Sequence, residues 1–450
     1  MVQTVRFVPF FIKFIVNLDW MIMTEKYISV PLLVFAWQHQ RFGTNDFYTR
    51  EAQRVEVIHP GRRNTADGPQ FTDAEVRIAG KIYVGSVSVH GKSSDWGYNK
   101  RNYDPQYDGV ILNVVAEDDR IIRKVDDSVL VSIQAEIPER LIRAYRGLQS
   151  GAEKSVCGYH LIRKLNEIEL KSACTRLMAD RMQRKFNDVM DIHNRTEKNW
   201  HETFHVLFFR SMGLGKNKEI YMSLARSVPY AKLCQERGEV QNIEAMLFGV
   251  AGLLDPSIYD EYKSQLTKRF EILRHRHQLR VLSYCEWSNQ GVRPHNFPPK
   301  RIAQIASIIN SNDFTLNNII NCEKIEDIRQ LFKVELPDYW KRSYTFGTHT
   351  ENKQQTVGEI AIDILIINLI TPILFAYGRQ EGREELEERA MDFLYQTKPE
   401  RNKHTEGWKI HGVKIDHALT SQSLIQLKTE YCIPQRCTEC FLGSRLLKSL

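Results

Sequence analysis

Three cysteines near the C-terminus, Cys432, Cys437 and Cys440, are spaced Cys-x4-Cys-x2-Cys, with Gly443 just beyond. Thiolates at this spacing could take three corners of a tetrahedral zinc site or anchor an iron–sulfur cluster. No fourth donor stands beside them, so Cys157, His160 or His417 would have to complete the shell in space. The plainer alternative is three buried structural thiols. A second constellation is basic. Arg293-Pro294-His295-Asn296-Phe297-Pro298-Pro299-Lys300-Arg301 is a loop stiffened by prolines, in which Arg293, Lys300 and Arg301 could contact phosphate. Its plainer alternative is a rigid connection between two helices.

The other five cysteines are scattered singly, as expected of free thiols in a reducing, cytoplasmic compartment rather than of a disulfide scaffold. The chain has 450 residues, 42% hydrophobic and 26% charged, enough for two or three domains with real cores and too apolar for wholesale disorder. A net charge of +7 permits nucleic-acid contact without demanding it.

These groups must be held by a scaffold whose pattern changes along the chain. Residues 1–22 are apolar and aromatic but broken by Arg6, Lys13 and Asp19, and they read as an extension ahead of a natural start at Met23. From Tyr27 to Phe42 the pattern is helical, with Gly43 placed to end it. Alternation at Val55–His59, Ala74–Ile78 and Ile82–Val89, with a turn at Gly80-Lys81, predicts antiparallel strands. Val110–Val115 is a nearly unbroken apolar run, as a central strand buried on both faces would be, and Val129–Ile133 supplies one more. Beyond Glu136 the pattern becomes helical to the end. Ile360–Tyr377 is 18 residues long and strongly apolar, but Asp363, Asn368 and Pro372 interrupt it, so it reads as a core helix and no membrane insertion is expected. The class is therefore α+β: a mixed-sheet core over 23–135, then a large helical region over 136–450 carrying the cysteine cluster.

Short motifs add to this reading. His59-Pro60-Gly61, Asn64, Gly68-Pro69, Phe71, Gly85, His90 and Ser94-Asp95-Trp96 occur in order, followed by Glu244-Ala245-Met246-Leu247-Phe248-Gly249, Arg293-Pro294 and Tyr431-Cys432. In this the chain resembles an uncharacterised bacterial family, domain-of-unknown-function family 2851. Its front half also resembles the PD-(D/E)xK nuclease core, in which carboxylates on neighbouring strands hold Mg²⁺ and the metal activates water.

The resemblance implies an acid at position 70 and another at 88, with a histidine at 90. The chain carries Gln70, Ser88 and His90 instead, and Asn113 where a histidine is common. A neutral amide and a hydroxyl hold a hard dication poorly, so Mg²⁺ is doubtful. Some nucleases of this fold clip their core with one early and three late cysteines on an iron–sulfur cluster, which makes Cys157 the fourth ligand the resemblance implies. Three readings stay open: a catalytically degenerate nuclease-like protein that binds nucleic acid, an active metal-dependent nuclease using substitute acids such as Asp73 or Glu75, and an interaction scaffold without nucleic acid. His59, Asn64, Asp95 and Trp96 read as fixers of turns and loops.

Overall fold

A computed structural model describes residues 28–450 except 44–46, 65, 100, 126–127, 155–164, 214–216, 256–258, 283–286, 351–356 and 411. The N-terminal extension, Cys157 and His160 thus lie outside the described residues. The chain forms two compact units. The first ends at Leu165 and takes in Leu427–Leu450; the second is Asn166–Gln426.

The first unit is built on one mixed sheet. Its strands are β1 (Phe47–Tyr48), β2 (Arg54–His59), β3 (Arg62–Arg63), β4 (Phe71–Ile78), β5 (Lys81–Lys92), β6 (Val110–Glu117), β7 (Ile122–Arg123) and β8 (Val129–Gln134). Their order is β1-β2-β4-β5-β6-β8-β7, with β3 on β4. β4 and β5 pair antiparallel through a two-residue turn at Ala79 and Gly80, both at positive φ (47° and 84°), the geometry that matches strand twist. β5–β6 and β6–β8 are parallel, as strands joined by crossovers must be. Gly85 is needed where β5 meets the turn into β6, because a Cβ there would lie 2.6 Å from Ile111 and 2.7 Å from the Gly109 carbonyl. The expected strands are all present, and Val110–Val115 lies beside β5 in the same sheet.

Helix α1 (Val30–His39) packs against β5 and buries Leu32 to Trp37 on every side. It begins with Pro31, whose missing N–H costs nothing there. It ends at Gln40 in the left-handed conformation (φ 49°), three residues before the expected stop at Gly43. Trp37 donates from Nε1 to the Pro60 carbonyl at 2.9 Å, tying α1 to the His59-Pro60-Gly61 turn. Between β5 and β6 runs a short helix α2 (Asp95–Tyr98) followed by two 3₁₀ turns, and after β8 comes α3 (Glu139–Lys154).

Among its described residues the second unit contains helices and their connections and no strand. Helix Glu167–Arg195 starts in a full capping box: Asn166 accepts from the Glu169 N–H, and Glu169 accepts from the Asn166 N–H. Helix Trp200–Met212 is capped by Asn199. The apolar stretch forms one continuous helical run, Glu359–Glu381, long and apolar enough to cross a membrane, with mean hydropathy 2.2. Here it is a core element: Ile362, Leu365, Ile366, Ile370 and Leu374 are buried among Phe208, Phe248 and Phe393 of the unit's core. A π-turn at Ile366–Ile370 ends two residues before Pro372, whose lack of an N–H disrupts regular α bonding.

Candidate functional site

β4 and β5 stop pairing at Phe71–Val87, and a bulge follows between Phe71 and Ala74. The Val89 N–H is therefore left without a strand partner. Gln70 supplies one: its Oε1 accepts from Val89 N at 2.7 Å. A buried N–H needs an acceptor, so Gln70 does work that an amide performs as well as a carboxylate. Its main-chain carbonyl is held from the other side by Asn64 N (2.9 Å) and Arg63 Nη1 (3.0 Å).

Residues two apart on a strand share a face, so Ser88 and His90 project together. The parallel register places Asn113 beside Ser88 and Ser132 beside Asn113. Ser88, His90 and Asn113 are buried, and Ser88 Oγ lies 2.8 Å from His90 Nε2. Asn113 reaches Ser132 only at 3.5 Å, and its Oδ1 has no partner. Trp96 closes the group, its ring edge-on to His90 at 6.1 Å and its Nε1 donating to Asn102 at 2.7 Å.

The residue that decides what this group can do is Arg101, on the turn after α2. Its Nη1 lies 2.6 Å from His90 Nδ1 and 2.5 Å from Nε2, and 3.4 Å from Ser88 Oγ. Its guanidinium stacks on Tyr107 at 5.0 Å. Arg101 can only donate, so the imidazole that meets it is neutral and offers it an unprotonated ring nitrogen, while Nε2 also lies within hydrogen-bond reach of the Ser88 hydroxyl. Burial, reinforced by the Arg101 charge, pushes the His90 pKa down to about 3. Such an imidazole is a feeble base at neutral pH. Arg101 was not foreseen; the only hint was its place in the basic and aromatic stretch Tyr98–Tyr107 after Trp96.

Among the described residues no carboxylate is hydrogen-bonded to Ser88, His90 or Asn113. Asp73 sits in the bulge at φ 55° with its side chain 67% exposed, 4.0 Å from Arg62, and Glu75 pairs in the ladder with Val84. Among the described residues no three His, Cys, Asp or Glu side chains converge to hold a metal ion. The turn fixers act as such: His59 Nδ1 accepts from Gly61 N, Asp95 from Lys92 N, and Asn64 bonds Ala66, Asp67 and Pro69.

The three late cysteines are buried and line one small apolar cavity of about 10 Å³ with Leu148, Leu427, Tyr431, Leu442 and Gly443. Gly443 is required there, since a Cβ would fall 2.1 Å from the Cys437 carbonyl. The three thiols share this cavity, and the fourth donor expected for them, Cys157, lies outside the described residues. The same segment walls a groove of about 190 Å³: Thr438 and Glu439 face Val34, Gln38, Arg63 and Gln70. Of the other candidates for the shell, His417 belongs to the second unit, where it packs on Tyr395.

The basic loop needs correction. Lys300 is wholly buried, its Nζ donating to the Trp340 carbonyl, and Arg301 is 5% exposed, held by Gln304 and Asn296. Helix Pro298–Asn310 turns both side chains into the second unit, so neither offers its charge to an outside phosphate. Arg293 alone of the three is exposed.

The sheet with its histidine–arginine group and the helical second unit together carry a match to a family model. Residues 31–403 match the family described as Protein of unknown function (DUF2851), and the chain belongs to that family. The matched span includes Gln70, Ser88, His90 and Arg101 and ends ahead of Cys432–Cys440. No curated protein and no solved structure matches the chain.

Proposed function

We propose that the chain is a catalytically silent nuclease-like protein that acts by binding rather than turnover. The observation that carries this is the occupation of the Ser88–His90 group by the Arg101 guanidinium, with no carboxylate among them. A metal nuclease needs a dication held by acids at that place, both to activate water and to offset charge growing on the phosphate. A fixed arginine repels a dication and cannot activate water. The β4–β5–β6 arrangement, with its antiparallel pair next to a parallel strand and its divergence at Gln70, supports the nuclease-like ancestry of the scaffold.

Nucleic acid is the proposed partner. Arg63 lines the groove beside Gln70, and Arg62 next to it has a side chain 82% exposed. Affinity carried by such cations should fall with salt. Fluorescence anisotropy with labelled single- and double-stranded oligonucleotides tests this. Binding that weakens with salt and in Arg62→Glu/Arg63→Glu supports it; no binding at low salt leaves the scaffold reading in its place.

For the cysteines, an iron–sulfur cluster is the proposed occupant, supported by the one-early, three-late order of the cysteines in the sequence and by the shared apolar cavity of Cys432, Cys437 and Cys440, and zinc is the alternative. A cytoplasmic location is proposed on the scattered single cysteines, of which Cys174, Cys234 and Cys322 are free thiols.

A further inference from the structure

The second unit carries a groove of about 730 Å³ that none of the preceding chemistry uses. It lies where helix Pro298–Asn310 ends and helices Leu316–Asn321 and Ile325–Leu331 follow. Its size falls within the range of small-molecule sites.

The lining is rich in acceptors. Asp313 and Asp327 both face the groove, and neither makes an ion pair among the described residues. The other two charges are already matched: Lys333 with Glu359 at 3.4 Å, and Glu335 with Lys341 at 2.5 Å. Arg389 nearby is committed to the carbonyls of Ile320 and Cys322. The groove is thus left with two carboxylates that make no ion pair among the described residues, in a chain whose net charge is +7.

A second, independent observation sits among the same lining residues. Ser307 lines the groove, is 5% exposed, and its Oγ has no hydrogen-bond partner. A serine within a helix ordinarily returns its hydroxyl to a carbonyl of the preceding turn. Ser307 does not, and a hydroxyl buried without a partner is destabilising until something supplies one. Asn321 and Gln330 add two carboxamides facing the groove without a partner among the described residues. Leu331 and Val334 provide apolar wall between the polar groups.

A ligand suited to this lining has several N–H donors, positive charge, no need for acceptors, and methylene stretches between its charges. We propose that the groove binds a linear aliphatic polyamine, its ammonium groups taken by Asp313, Asp327 and the carboxamides, its methylenes lying on Leu331 and Val334. The Ser307 hydroxyl would then accept one N–H. This is independent of the nuclease-like reading of the first unit.

Isothermal titration of the full chain with spermidine, at low salt, tests it. The expected result is saturable one-site binding that weakens at least tenfold in Asp313→Asn/Asp327→Asn. Ser307→Leu, which fills the floor of the groove, should weaken binding similarly while thermal melting shows the variant folded. Should that variant fail to fold, Gln330→Ala, on the groove's exposed rim, replaces it with the same expected direction. Absence of binding at millimolar spermidine, or equal affinity in the double aspartate variant, would overturn the proposal. So would binding of a lysine-rich peptide where spermidine fails.

Discussion

Arg101 Nη1 stands 2.5 Å from His90 Nε2 and 2.6 Å from Nδ1, so the one imidazole on the Ser88 face of β5 is matched to a cation and not to an acid. Removing the guanidinium in Arg101→Met should cost roughly 1–2 kcal/mol, because a buried His90 acceptor loses its donor. It should also raise the His90 pKa, since one of the two causes of its depression disappears while burial remains. Urea unfolding measures the first effect and an NMR titration of the imidazole the second. An unchanged His90 titration would show that the two groups do not interact in solution.

The same pair predicts a pH dependence. His90 has a folded pKa near 3 against 6.5 in the unfolded chain, so between those values the unfolded state binds more protons. Stability from this group is fully present above about pH 6.5 and is lost as pH falls toward 3, by up to about 1.4 kcal/mol per pH unit. Arg101 faces the ring, and Asp95, Asp104 and Tyr107 lie around Arg101. The variant His90→Gln should flatten this part of the stability profile; a profile identical to the parent's below pH 6 would contradict the assignment.

In the second unit Glu244 is wholly buried, and burial pushes its pKa up to about 8 in spite of a hydrogen bond from the Tyr262 hydroxyl. Here the sign is reversed. The folded carboxyl keeps its proton while the unfolded one loses it above about pH 4.5, so stability falls as pH rises from 4.5 to 8. Glu244→Gln should therefore stabilise the protein at pH 7 by about 1–3 kcal/mol and leave it little changed at pH 4. Denaturant midpoints at the two pH values decide this, and destabilisation at both would show that Glu244 is ionised in the fold.

For the cysteine cavity, anaerobically purified protein should contain iron and sulfide and absorb in the visible, and Cys437→Ser should abolish both. Gly443→Ala should lower the metal content, because a methyl group there collides with the Cys437 backbone. Zinc at one equivalent with no iron, or no metal in any preparation, would dismiss the cluster.

The strands were legible because alternation reports burial directly: Ala74, Val76 and Ile78 are all buried, as their spacing required. The first helix was legible in kind but not in its end. Nothing in Gln40 announces a left-handed residue, while Gly43 does. The pairing of Ser88 with His90 was legible from their two-residue strand spacing, but Arg101 was not, since a loop arginine reads as solvated until its neighbours are placed. Lys300 and Arg301 failed for the converse reason. Charge in sequence is read as surface, and only the packing of helix Pro298–Asn310 reveals that both point inward.

The central claim is that the β5 face is catalytically silent, and cleavage by the unmodified protein tests it most directly. Plasmid DNA and labelled RNA would be incubated with the full chain in Mg²⁺ and in Mn²⁺, beside an EDTA control and the triple variant Gln70→Asp/Ser88→Glu/Arg101→Ala, which introduces two acids and removes the guanidinium. No metal-dependent product from the parent, and measurable product from the triple variant, is the predicted result. Robust cleavage by the parent, lost in EDTA and in His90→Ala, would contradict the account.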